Sequence, residues 1–208
     1  MMKKLGLTAI LFALVSCGSD MNSGATGEPN MPHDSAEWQI WAYSTAAPDF
    51  IGDFATVKGG NGEVLREGNN GWGCLPFNPM PENGFDRPHD ANPACGDEAS
   101  LAWVDAYMNQ TIPEMNSDGW LWMLHGDTGV DNFRAYSEGD REGSDPIHFI
   151  ESGPHLMLLP KDPASLDTQT TEFTTGAPYV MFKGSPYVHL MIPTDGYYDY
   201  QPESSPNN

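Results

Sequence analysis

Positive charge is scarce in this chain. Nine Lys and Arg residues stand against 29 Asp and Glu, a net charge of −20 over 208 residues. So acidic a surface repels phosphate backbones and anionic headgroups, which excludes nucleic acid as a partner. The bland reading of the charge is a solvated surface that resists aggregation. Compact catalytic signatures are missing too. No G-x-S-x-G, H-E-x-x-H, Walker A or EF-hand loop occurs, so the sequence does not announce hydrolase, zincin, nucleotide or calcium chemistry. Cysteine is rare, at three residues. The apolar run Leu5–Val15 is too short to span a bilayer as a helix.

What is present begins with an export address. Met1–Lys4 is a short basic start, followed by that apolar run, as in a secretory signal. It ends at Leu14-Val15-Ser16-Cys17, which resembles the lipobox of bacterial lipoproteins. The resemblance implies a signal peptide over 1–16, cleavage before Cys17 and a membrane anchor through a lipidated Cys17. The alternative is an ordinary cleaved signal with an incidental Cys. Gly18 rather than Asp follows the Cys, which points to the outer membrane in a Gram-negative cell. Lys3 and Lys4 leave with the signal, so the mature chain is more acidic still, near −22.

An exported chain favours a disulfide, and Cys74 and Cys95 remain to form one. A metal-binding pair is the alternative, but this isolated spacing is not that of a zinc site. Between them lie Pro76, Pro79, Pro81, Pro88 and Pro93. Each Pro lacks an N–H, so neither a helix nor a central strand is expected there.

The organisation reads as a flexible tether over 17–36, a single β-rich domain over 37–195 and a frayed acidic tail over 196–208, with packing of Tyr197, Tyr198 and Tyr200 before the tail leaves as the alternative. Short apolar segments broken by Gly and Pro give the strands: "EWQIWAYS", "GWLWMLHG", "PHLMLLP", "PYVMFK" and "YVHLMIP". "FATVKGGNGEVLRE" predicts a hairpin turning at Gly59–Gly62. Only "DEASLAWVDAYMNQ" predicts a helix, with Asp97 as N-cap and Leu101, Val104 and Met108 at helical spacing. The fold class is therefore mainly β with one short helix (α+β remaining open), as a single sandwich or partly closed barrel.

Four constellations carry chemistry. His155 and Met157 lie two apart on one predicted strand, and His189 and Met191 on another. Residues two apart on a strand share a face, and imidazole with thioether suits Cu(I). The pair resembles the H-x-M ligands of envelope copper chaperones, which implies copper as a cofactor at His155, Met157, His189 and Met191. The ordinary alternative is core strands, since Met fills gaps and His bonds backbone carbonyls. Secondly, Asp127-Thr128-Gly129 is similar to the D-T-G of aspartic proteases, but it occurs once and follows His125-Gly126 rather than apolar residues. Thirdly, His125 and Asp127, with His148 nearby, form the minimum for acid–base or metal-dependent hydrolysis. Fourthly, Trp38, Trp41, Trp72, Trp103, Trp120 and Trp122 are many for this length. Trp120 and Trp122 share a strand face; exposed, they make a carbohydrate platform, and buried, a core.

Segments such as "NGWGC", "GPHLM" and "YVMFKGSPYVHLM" resemble uncharacterised exported bacterial proteins, a likeness that implies no activity. The sequence thus points to a lipid-anchored binding or structural module of the cell envelope, ahead of an enzyme using His125, Asp127 and His148.

Overall fold

The computed structural model describes residues 27–137 and 139–207. The signal, the lipobox Cys17 and most of the tether lie outside the described residues. No helix among the described residues is long and apolar enough to cross a membrane.

The domain is mainly β. Eight strands form one open sheet: β1 (Thr56–Lys58), β2 (Val64–Arg66), β3 (Gly73–Pro76), β4 (Pro93–Gly96), β5 (Gly119–Met123), β8 (His155–Leu159), β9 (Tyr179–Met181) and β10 (His189–Pro193). Their order is β2-β1-β3-β4-β5-β8-β10-β9, and no barrel closes. A separate antiparallel ribbon joins β6 (Val130–Asp131) to β7 (Phe149–Ile150). Most neighbours are antiparallel; β1 and β3 run parallel. The predicted hairpin forms as β1–β2, with Gly62 at φ +86° in the turn, a backbone region that favours glycine.

Among the described residues three α-helices accompany the sheet, not one. The segment "EWQIWAYS", expected as a strand, is α1 (Ala36–Ser44). Its buried residues Trp38, Gln39, Ala42 and Tyr43 recur at three- and four-residue steps, and Ser35 caps it by accepting from Trp38 N–H at 3.3 Å. Its large aromatic and branched residues favour strands locally, but packing on the sheet selects the helix. A one-turn α2 (Asp49–Gly52) follows. The expected helix is α3 (Glu98–Met108), where Asp97 accepts from Ser100 N–H at 2.8 Å. Its buried side is Ser100, Trp103 and Val104; Met108 is exposed at its end.

Cys74 and Cys95 are bonded, at S–S 2.04 Å, and sit directly opposite each other on β3 and β4. These are central strands, contrary to the expectation from the prolines. Pro76 is the last residue of β3 and Pro93 the first of β4, so each occupies a strand end where the ladder stops.

The two sheet faces carry separate cores. Side chains of Cys74, Cys95 and Val57 face α1, with Trp38, Ala42 and Tyr43. Leu121, Met123, Met157, Leu159, Met181 and Met191 face α3 and the β6–β7 ribbon, a sandwich-like second layer. Both ends of the domain are docked more tightly than the sequence suggests. Glu28 accepts from the Trp38 indole at 2.8 Å, and His33 stacks on Trp38. The segment expected to fray is packed as far as Ser204. Tyr197 and Gln201 are buried, and the Gln201 amide bonds the Glu151 N–H and the Phe149 carbonyl.

Candidate functional site

The two His-x-Met segments lie on adjacent antiparallel strands. Met191 pairs with Met157 across β10–β8, and His189 pairs with Met181 across β10–β9. The connection from β9 to β10 runs through Phe182 at φ +54° and Gly184 at φ +81°. It is longer than a two-residue turn, and that length sets His189 rather than Val188 against Met181. The face carrying Met and His is the buried one. The aliphatic face, with Leu156, Leu158, Leu190 and Ile192, is only half-buried.

Against that Met-bearing face lies a cavity of about 260 Å³, closed on the other side by α3 and the β6–β7 region. Its floor is Met123, Met157, Met181, Met191 and His189. Its walls are aromatic, from Phe77, Trp103, Tyr107, Tyr136 and Phe182. Trp103 and Tyr107 stack at 5.3 Å, and Tyr107 and Tyr136 at 4.7 Å. Met108 and Tyr136, both exposed, stand at the mouth. Asp127, Asn78 and Asn92 form the polar part of the lining. Phe77 and Asn78 follow β3 and Asn92 precedes β4, so the disulfide-linked strands carry these groups to the cavity.

His189 is 3 % exposed, its ring edge-on to Trp103 and Phe182 at 5.4 and 5.3 Å. Its Nδ1 donates to the Tyr187 carbonyl at 2.9 Å, which leaves Nε2 as a bare acceptor. Burial pushes its pKa down to about 4, so the ring is neutral at pH 7, the form that ligates metals. His155 is fully buried but is not part of the cavity lining. It faces Pro193 on β10, four residues from His189. The two imidazoles therefore do not stand side by side on the sheet, and a site using both His-x-Met pairs symmetrically does not assemble. The His155 Nδ1 donates to the Gly153 carbonyl at 2.8 Å, and its Nε2 has no partner. Burial lowers its pKa against the opposing pull of the Asp127 charge.

Of the predicted acid–base residues, Asp127 meets the cavity. Its Oδ1 accepts from Gly129 N–H at 2.9 Å, and its Oδ2 accepts from the Ser152 hydroxyl at 2.5 Å. Its charge reaches the buried Tyr179 and Tyr197 phenols, which bond each other at 2.5 Å and whose pKa values burial raises. The predicted partners of Asp127 are elsewhere. His125 Nε2 bonds the Thr45 hydroxyl at 2.8 Å, and its pKa is pushed down to about 4 by burial. His148 lies tilted against Phe133 at 4.2 Å beyond the far end of the β6–β7 ribbon. No bond joins His125, Asp127 and His148, so an acid–base pair from these residues does not form. Among the described residues no group of three His, Cys, Asp or Glu side chains converges as a metal site.

The sequence reading missed a second oriented histidine. His89 Nδ1 donates to the His125 carbonyl at 2.7 Å, and Nε2 meets Glu151 Oε1 at 3.1 Å. Its ring lies on Tyr200 at 3.8 Å. These residues are separated by up to 111 positions in the chain, so no local signal links them. The tryptophans divide: Trp38 and Trp103 are core, Trp122 is half-buried on the α1 side, and Trp120 is 40 % exposed. Only one ring of the predicted carbohydrate platform is thus open.

The fold and cavity define a disulfide-bridged, open-sheet β domain with an internal apolar site. No protein-family model, curated protein or solved structure matches the chain.

Proposed function

We propose that this chain is a lipid-anchored binding module of the cell envelope, and that the cavity between the sheet and α3 is its ligand site. The observation that carries this reading is the convergence of one strand face on one cavity: β5, β8, β9 and β10 together supply four Met side chains and His189. Its metal form is Cu(I) held by His189 and sulfurs of Met181, Met191 and Met157. Thioether and neutral imidazole are the soft and borderline donors that Cu(I) selects. The Cys17 anchor supplies the membrane partner, and the acidic surface keeps the domain off anionic headgroups.

The metal form is tested with full-length protein in non-ionic detergent. Ascorbate-reduced copper is titrated against a chromogenic Cu(I) chelator. One equivalent is withdrawn from the chelator, and His189→Ala and Met191→Leu each weaken binding by at least about tenfold, as expected for loss of one ligand or its oriented partner. His155→Gln leaves binding intact. If the wild type fails to compete with the chelator, copper is ruled out; if His155→Gln weakens it as much as His189→Ala, the assigned ligand set is wrong.

A further inference from the structure

One copper ion would fill a small part of this cavity. At roughly 30 Å³ per water-sized group, about 260 Å³ accommodates on the order of nine such groups. The polar side chains around it present acceptors. Asp127 brings a carboxylate whose bonds to Gly129 and Ser152 are both received, not donated. The Asn78 amide spends its N–H groups on the Asp90 carbonyl, at 2.9 Å, and the Thr128 hydroxyl, at 3.2 Å, so it offers oxygen. His189 offers its unprotonated Nε2, and Asn92 has a buried Oδ1 without a partner. No Lys or Arg belongs to the lining. The remainder is aromatic, thioether and small aliphatic, the last from Val104, Gly129 and Val130.

A site of that composition matches a ligand with hydrogen-bond donors and positive charge at one end and an apolar body behind. We infer that the cavity takes a small organic ammonium compound, its ammonium group on Asp127 and Asn78 and its hydrocarbon body against Phe77, Trp103 and the Met floor. An anion of the same shape meets the Asp127 charge with no cation to offset it. A neutral analogue leaves that half-buried carboxylate without the charged donor it can accept from, which is the usual basis of discrimination. Aromatic faces add attraction for the cation. The charge of −20 over the chain attracts cations to the protein as a whole. This inference rests on the cavity being the ligand site, but it uses Asp127 where the copper form uses the sulfur floor.

Isothermal titration of full-length protein in non-ionic detergent at pH 7 tests it, with phenethylamine, 2-phenylethanol and phenylacetate as size-matched probes. Phenethylamine is expected to bind at least about tenfold more tightly than either analogue. That preference persists at 0.5 M NaCl, where association with the acidic surface is screened. Asp127→Asn retains an acceptor for the turn, and it lowers the amine affinity to that of the alcohol while leaving Cu(I) competition unchanged. Equal affinity for the three probes, a preference that vanishes in high salt, or an Asp127→Asn variant that still prefers the amine each overturns the ammonium assignment. If all three probes fail while Cu(I) binds, the inference falls and the binding-module reading stands. If probes and copper all fail, both fall.

Discussion

Replacing Cys74 and Cys95 together by Ala removes the covalent link between the two central strands. The bridge joins residues 21 apart in sequence. On the chain-entropy relation a loop of that length is worth about 3 kcal/mol. Five prolines at and between the bridged strands already restrict the unfolded loop, so about 3 kcal/mol is an upper value for the entropic part. Two effects work in the other direction. Both sulfurs are fully buried beside Tyr43 and Ala42, and their removal leaves space there, which costs about 1 kcal/mol more. The two strands also deliver Phe77, Asn78 and Asn92 to the cavity, so their loosening disturbs the polar end before it disturbs the Met floor. The double variant is expected to lose about 3 kcal/mol in urea unfolding followed by tryptophan fluorescence, and about 6–12 °C in Tm for a domain of this size. Its m value rises, because the unfolded chain is less compact without the link. A loss below about 1 kcal/mol, or an m value that does not rise, refutes the loop-constraint account. Phe77 and Asn92 would then be held by the β3–β4 hydrogen bonds alone.

Two further outcomes follow from other parts of the molecule. The His189 pKa is about 4 in the folded state and about 6.5 unfolded, so the unfolded chain takes up a proton between those values that the native state refuses. Stability is therefore full above pH 6.5 and declines as the pH falls to about 4, by on the order of 3 kcal/mol from this residue. The buried His155 shifts in the same direction and adds to the slope. Urea midpoints measured from pH 7 to 4 should fall less steeply for His189→Gln than for wild type; parallel slopes would show that His189 protonation is not coupled to unfolding. At the other end of the chain, Cys17→Ser should abolish incorporation of labelled palmitate and move the protein from the membrane to the soluble fraction. Continued lipid labelling of that variant would count against Cys17 as the acceptor.

Local chemistry was enough for several elements. The hairpin at Gly59–Gly62, the Asp97-capped helix, the strands bearing the His-x-Met pairs and the Cys74–Cys95 bond all rest on features that act over a few residues or on a two-member choice. The failures have equally definite causes. "EWQIWAYS" carries strand-prone side chains, yet its buried set recurs at helical steps and docks under β3 and β4. The prolines near the disulfide argue locally against central strands, yet a Pro at the end of a strand removes no interior ladder bond. Gln201 lies in a polar tail, and its burial depends on Phe149 and Glu151, some fifty residues earlier.

At the site, the order of residues along each strand is enough to say which side chains share a face: His155 with Met157, His189 with Met191, and Tyr179 with Met181. That follows from the two-residue period of a strand, which needs no knowledge of neighbours. Residue counts likewise settle the acidic balance and the pairing of the last two cysteines. The adjacency of β8 and β10, the meeting of Met181 with His189 and the burial of the Met-bearing face come from long-range packing. The same packing separates Asp127 from His125 and His148 and sets it at the cavity with Asn78 and Asn92. Strand order, register and the covering layer come from contacts between distant segments, and the burial of both faces selects among arrangements that short-range periodicity leaves equivalent.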